Sequence, residues 1–265
     1  MEIVAFDTET TGAYPLQAEV CEVAAVRWRD GQIIDQFQSL VKPKQVMSDF
    51  IIGIHGITNE MVASAPAMSE VLPKFKEYVG SSILVGHHSA FDIGFLAFDF
   101  ERLGISFPKG KVLCSSLLSR VLIPETPNHK LQTLVQHFGI DGGTAHRALD
   151  DAKACLHVTL KCFERLPTGD TLSLAFEKMG GAFLWEQFSI DQLRNQDRTH
   201  IIVEAIQKGA ECEIQYGRPV EQNWRRVRPE GIVRGPQADY FVVRDHQTGL
   251  YKRFFLNKLQ GARSA

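Results

Sequence analysis

Asp7 and Glu9, two positions apart in FDTETTG (Phe6–Gly12), are the first residues of this 265-residue chain whose spacing could do chemistry. The preceding Met1–Phe6 is short, apolar and partly β-branched, which predicts a buried first strand. Side chains alternate faces along a strand, so Asp7 and Glu9 share one face and Thr8 points to the other. Thr10-Thr11-Gly12 then ends it. Adjacent carboxylates repel, and burying them costs solvation unless a cation sits between them. Hard oxygen ligands of this kind suit Mg²⁺ or Mn²⁺. The competing reading is a solvated strand end with incidental acids. Two more acidic segments follow, HHSAFD (His87–Asp92) and HRALDD (His146–Asp151).

The elements that must position these segments form a mixed α/β pattern. Glu19–Arg29 and Gly31–Lys42 alternate around Asp30-Gly31, a hairpin signal. Met68–Val79 has helical spacing, with Val71, Leu72, Phe75 and Val79 as its stripe. Ser82–Gly86 reads as a short buried strand, and Ala90–Leu103, Leu131–Phe138 and Ala148–Leu166 read as helices. This order predicts a mixed sheet with helices packed on it. The stripe of the last helix runs through Ala148, Ala152, Cys155, Thr159 and Phe163. At about 100° per residue, Asp151 lies at its edge and turns inward, while Asp150 points further towards water.

Pro167-Thr168-Gly169-Asp170 breaks that helix, so a first domain is expected over 1–168. A connector with two short helices is expected over 169–198 and a second domain over 199–265. A helix at His200–Lys208 precedes the strand-like runs Glu211–Tyr216, Val227–Val233, Tyr240–Arg244 and Tyr251–Phe255. Turn signals at Gly217-Arg218-Pro219, Gly235-Pro236 and Gln247-Thr248-Gly249 separate them, which predicts a small, bent β-sheet or barrel.

At 44% hydrophobic and 23% charged, the composition is that of a globular protein, which sets aside a disordered chain. With no run as long as a membrane span and no signal-like start, a cytoplasmic protein without a membrane partner is expected. Five scattered cysteines without a CxxC pair argue for reduced thiols, against a disulfide framework or zinc site. Charge is uneven: residues 1–198 carry 18 basic and 24 acidic side chains, residues 199–265 carry 11 and 7. The basic tail points to a polyanion partner.

FDTETTG, HHSAFD and HRALDDA together resemble the three motifs of the DEDDh (DnaQ-like) 3′–5′ exonucleases. That superfamily includes the proofreading epsilon subunit of bacterial DNA polymerase III and ribonuclease T. The resemblance covers residues 1–166, and the five-residue spacing from His146 to Asp151 selects the second aspartate independently. It implies an RNase H-like fold in which Asp7, Glu9, Asp92 and Asp151 hold two Mg²⁺ or Mn²⁺ ions about 3.5–4 Å apart. His146 would take the proton from the attacking water, as an imidazole can near neutral pH. HGIT (His55–Thr58) resembles a family segment near the mouth of the site, which implies that His55, with Thr10, meets the terminal nucleotide. His88 stands where many relatives carry asparagine and is expected to tune the surroundings of the site. Phe91 is expected in the core, and His87 in a structural role.

IVEAIQKGAECEIQYG, RRVRPEGIV, DYFVVRD and KRFFLNKL resemble, in order, segments of the WYL domain family. That family carries a small Sm- or SH3-like β-barrel and often accompanies bacterial regulators of nucleic-acid processes. Asp239-Tyr240-Phe241 replaces its naming tripeptide here. The resemblance implies nucleic-acid or nucleotide binding through basic residues, with Arg225, Arg226, Arg228, Arg244 and Arg253 as candidates. Trp224, Tyr240 and Phe254 interleave aromatics among them, as single-strand sites do. The competing reading makes the aromatics barrel core and the arginines ordinary surface.

Taken together these implications favour a metal-dependent exonuclease releasing nucleoside monophosphates from single-stranded DNA 3′ ends. An RNA-trimming exoribonuclease would share the chemistry. A nucleic-acid-binding regulator with a relic nuclease domain is the third reading, and the intact acids and histidine argue against it. Gln187–Leu193 (QFSIDQL) only loosely resembles a sliding-clamp peptide, so polymerase or clamp association has little support.

Overall fold

A computed structural model describes residues 1–217, 223–235, 238–244 and 249–265. They fall into two compact units: Met1–Thr11 with Glu19–Trp185, and Gly12–Ala18 with Glu186–Ala265.

In the first unit, strand β1 (Glu2–Thr10) runs beyond the apolar segment and carries Asp7 and Glu9 within it. Antiparallel pairing with β2 (Val20–Arg29) from Glu2↔Arg29 to Thr10↔Val20 holds this polar end extended. The β2–β3 hairpin closes as expected, with Asp30 and Gly31 both at positive φ before β3 (Gln32–Leu40). Helices α1 (Asp49–His55), α2 (Asn59–Val62) and α3 (Met68–Val79) follow. Then come β4 (Ile83–Gly86), α4 (Ala90–Arg102), β5 (Val112–Cys114), α5 (Ser115–Leu122), α6 (Leu131–Phe138), α7 (Ala148–Phe163) and α8 (Thr171–Met179). The sheet order is β3-β2-β1-β4-β5, with β4 and β5 added in parallel.

The alternation of β1 divides the core. Ile3 and Ala5 join Ala152 and Cys155 of α7 on one face, while Phe6 meets Phe75 of α3 on the other, 6.2 Å between ring centroids. Asp7 and Glu9 continue the α7-facing parity. Trp185 packs edge-on against Phe100 and ends this unit, so the expected connector is divided between the two units.

Among the described residues, the second unit contains α9 (Asp191–Arg194), α10 (His200–Lys208) and six strands. These are β6 (Cys212–Tyr216), β7 (Arg225–Val227), β8 (Pro229–Val233), β9 (Tyr240–Arg244), β10 (Tyr251–Phe255) and β11 (Leu259–Ser264). They form two three-stranded antiparallel sheets, β10-β9-β8 and β11-β6-β7, and no barrel closes among the described residues. The run expected as one strand over 227–233 is two, broken at Arg228-Pro229, because proline cannot donate to a ladder. The turn residues Arg218-Pro219, Pro236 and Gln247-Thr248 lie outside the described residues. All five cysteines are free and buried, and no described helix is long and apolar enough to cross a membrane.

Candidate active site

Three chain segments bring their acids to one end of β1. The strand itself supplies Asp7 and Glu9. Beside it β4 runs parallel and ends at Gly86, where an added Cβ would come within 2.7 Å of Ser89 Cβ. Glycine therefore allows the sharp turn that puts Asp92 in the first turn of α4. His88 in this turn has φ 59°, a left-handed conformation that asparagine and histidine tolerate better than most residues. The replacement noted in the sequence thus has a backbone reason. Thr8, on the face opposite Asp7 and Glu9, donates to Asp92 Oδ1 from both its backbone nitrogen (3.0 Å) and its hydroxyl (2.7 Å).

The third segment enters α7. His146 also has φ 59°, and its backbone N–H donates to Asp151 Oδ2 at 2.9 Å. Asp151 is buried, and its Oδ1 has no hydrogen-bond partner among the described residues. Asp150 is half-buried and accepts from Thr144 N, closing the loop before the helix. An oxygen of Glu9, an oxygen of Asp151 and a ring nitrogen of His146 all lie within 4.8 Å of one another.

Burial, with repulsion from the other acids, raises the carboxyl groups here. Asp7 rises well above the usual range, first through burial and then through Asp92, Glu9 and Asp151. Glu9 is pushed up to about 8 by burial and by Asp151 and Asp92. Asp92 reaches about 7 through burial, against the pull of its bonds to Thr8. Burial raises Asp151 too. Four crowded acids that resist ionising, one with an orphaned buried oxygen, fit a divalent cation as the missing partner.

Glu22 is an anchor of the site that the sequence analysis did not single out. It lies opposite Glu9 on β2 and is fully buried. Arg147 grips both of its oxygens (Nη2 at 2.8 Å, Nε at 3.1 Å), Ala148 N donates at 3.1 Å and Gln38 Nε2 at 2.9 Å. Burial opposes ionisation, but these four bonds outweigh it and hold the carboxyl below its usual range. Glu22 thus anchors the two residues that follow His146. A lone acid inside the apolar run Val20–Val26 was the available signal.

Other expected residues are placed as follows. Thr10 is the buried last residue of β1. His55 is buried at the end of α1, accepts from Ile57 N at Nδ1 and has Nε2 3.8 Å from Cys21 Sγ; burial lowers its pKa. His87 is buried between the Ser115 hydroxyl and the His129 carbonyl. Phe91 is not in the core: it is 43% exposed beside Asp92, because the buried stripe of α4 runs through Asp92, Ile93, Phe95 and Leu96. The five candidate arginines are divided between two sheets. Arg225 and Arg226 lie on β7 and Arg228 just after it, while Arg244 and Arg253 lie on the other sheet. Phe188, Ile190 and Leu193, the apolar residues of the clamp-like segment, are buried.

With this geometry in place, the comparisons with known proteins are specific. The exonuclease family model RNase_T matches residues 4–159, and the chain belongs to that family. Among curated relatives, the PolC-type DNA polymerase III of Oceanobacillus iheyensis is 39% identical over 163 residues, and that of Staphylococcus aureus 36% over 163. Each alignment covers 62% of this chain but only 11% of the relative, so the chain matches a small part of those polymerases. Exonuclease X in complex with 5′ overhanging duplex DNA is 26% identical with a TM-score of 0.53, over 67% of this chain and 99% of that one. Escherichia coli exonuclease I in complex with a dT13 oligonucleotide shares the fold at 16% identity and TM-score 0.55, over 91% of this chain and 55% of that one.

Proposed function

We propose that this protein is a metal-dependent 3′–5′ exonuclease that releases nucleoside monophosphates from single-stranded DNA ends. The observation that carries this reading is the convergence of Asp7, Glu9, Asp92, Asp151 and His146 from three separated segments on one end of β1. The four carboxylates would hold two Mg²⁺ or Mn²⁺ ions. Bound there, the ions would activate the attacking water and stabilise the departing 3′ oxygen. His146, exposed beside Glu9 and Asp151, receives the proton of that water at a ring nitrogen. Asp151 orients it through the bond from the His146 backbone, and Glu22 with Arg147 fixes the turn. Phe91, exposed next to Asp92, offers a ring to a terminal base.

DNA is favoured because the relatives at 36–39% identity are DNA polymerases. The C-terminal unit, read as WYL-like, would hold the strand behind the end being cut. The test is digestion of 5′-labelled DNA and RNA, single- and double-stranded, with Mg²⁺ or Mn²⁺. Shortening of single-stranded DNA from its 3′ end, one nucleotide at a time, is expected. Cleavage of RNA alone would transfer the function to RNA trimming, and no cleavage of any substrate would leave a nucleic-acid-binding regulator.

A further inference from the structure

The β10-β9-β8 sheet has two unlike faces. Residues paired across an antiparallel ladder share a face, so Phe254, Phe241 and Ile232 lie together, as do Tyr251 with Arg244, Arg253 with Val242, and Tyr240 with Phe255 and Val233. The first set is core: Phe241 and Ile232 are buried, and Phe241 stacks on Phe254 with centroids 5.2 Å apart. An outward face on a small antiparallel sheet is ordinarily polar. Here it carries aromatic rings and arginines around a buried centre of Val242 and Gly231. Tyr251 is 57% exposed, and the Arg253 guanidinium lies over the Tyr240 ring at 5.1 Å.

A further ring joins this face from far away in sequence. Tyr14 belongs to the Gly12–Ala18 segment of the same unit, and it lies against Gly231 of β8. A Cβ at Gly231 would come within 2.2 Å of Tyr14 Cγ, so the ring can lie there only over glycine. Gly231 pairs with Val242, which places Tyr14 on the outward face. Tyr251, Tyr240 and Arg253, with the acid Glu230 of β8, all act on its hydroxyl. The same loop is tied down by Gln17 Nε2 to the Ile206 carbonyl at 3.4 Å. Along the chain, Tyr14 follows Glu9 by five residues.

We propose that Tyr14, Tyr240 and Tyr251, with Arg244 and Arg253, form a base-stacking platform for single-stranded nucleic acid. Each base has a π-face that a tyrosine ring can meet whatever the sequence, and each arginine can neutralise a phosphate. The excess of basic residues over 199–265 gives the matching charge. Arg225, Arg226 and Trp224 lie outside this platform because they are on or beside the other sheet, where the Arg263 guanidinium lies over the Trp224 ring at 4.0 Å just as Arg253 lies over Tyr240. The identity of the strand rests on the proposed exonuclease function, but the platform itself does not.

The test is fluorescence anisotropy of labelled oligo-dT and oligo-rU on the full chain in EDTA, where binding is read without hydrolysis. Tyr251→Ala should weaken binding roughly 5- to 150-fold, the range for losing one stacked base. Arg253→Gln and Arg244→Gln should each flatten the log–log salt dependence by about 0.7. Gly231→Ala, which displaces Tyr14, should weaken binding with β10 intact, and circular dichroism confirms that each variant is folded. Folded variants with unchanged affinity and salt slope would overturn the platform, as would a wild type that binds neither oligonucleotide. Wild-type binding that weakens in the variants, without any cleavage in Mn²⁺, would sink the exonuclease reading and leave the platform standing.

Discussion

At Glu9 and Asp92 the physics of burial and the proposed chemistry meet in one pair of carboxyl groups. Glu9 is raised to about 8 and Asp92 to about 7, so in metal-free protein both hold protons that an unfolded chain would release near pH 4. Between those values these two groups bind more protons in the folded state than in the unfolded one, so their contribution to stability falls as pH rises from about 4 to about 8, while His87, lowered to about 3 by burial, opposes them only up to about pH 6.5. Thermal melts in EDTA should therefore give a lower Tm at pH 8 than at pH 5. Asp7→Asn should raise the pH 8 value by about 2–4 °C for each kcal/mol of repulsion relieved. A metal-free Tm that climbs from pH 5 to pH 8 would contradict the crowding. His146 makes a separate prediction. His146→Ala should slow hydrolysis roughly 10²–10⁴-fold, the usual share of a general base, with little change in Mn²⁺ affinity. Loss of Mn²⁺ binding in that variant would make the ring a ligand, which its distance from Glu9 and Asp151 also permits.

Among the elements, those with one apolar face were legible from spacing alone. Helices α3, α6 and α10 lie within the bounds their stripes predict, and the choice of Asp151 over Asp150 as the inward acid followed from the stripe of α7. Helix α5 was missed because three serines, Ser115, Ser116 and Ser119, are among its buried residues, and hydrophobic periodicity does not register them. In α1 the signal is inverted: Phe50 and Ile54 are exposed while His55 is buried. Strand β11 carries little apolar alternation and depends on its ladder with β6. The anchoring of α7 escaped for a different reason, since Glu22 and Arg147 are 125 residues apart. Glu22→Ala should cost roughly 3 kcal/mol, near the low end for breaking a buried pair, because Arg147 keeps a third of its side chain exposed. Glu22→Gln should fold better and lower kcat far more than it raises KM. Chemical denaturation with steady-state kinetics checks both, and a change confined to KM would remove Glu22 from the positioning of His146.

For the whole molecule, the two units do not follow the breaks that proline and glycine suggest in the sequence. The first runs on to Trp185, and the second takes in the seven-residue segment Gly12–Ala18. A chain cut near Arg198 would split the second unit, because Phe188, Ile190 and Leu193 are buried and belong to it. A chain ended at Trp185 retains every proposed metal ligand and should still bind Mn²⁺, while KM on long strands rises and its salt dependence flattens. Unchanged KM and salt dependence would mean that the second unit does not hold the substrate. The central claim is that the acids on β1, α4 and α7 hold the metals that hydrolyse a 3′ end. Its most direct test follows Mn²⁺ binding and shortening of a 5′-labelled single strand in the same samples of wild type and Asp7→Ala. Wild type should bind Mn²⁺ and yield a ladder descending one nucleotide at a time from the 3′ end, reversibly stopped by EDTA, and folded Asp7→Ala should give no ladder. A full-strength ladder from Asp7→Ala would contradict the claim.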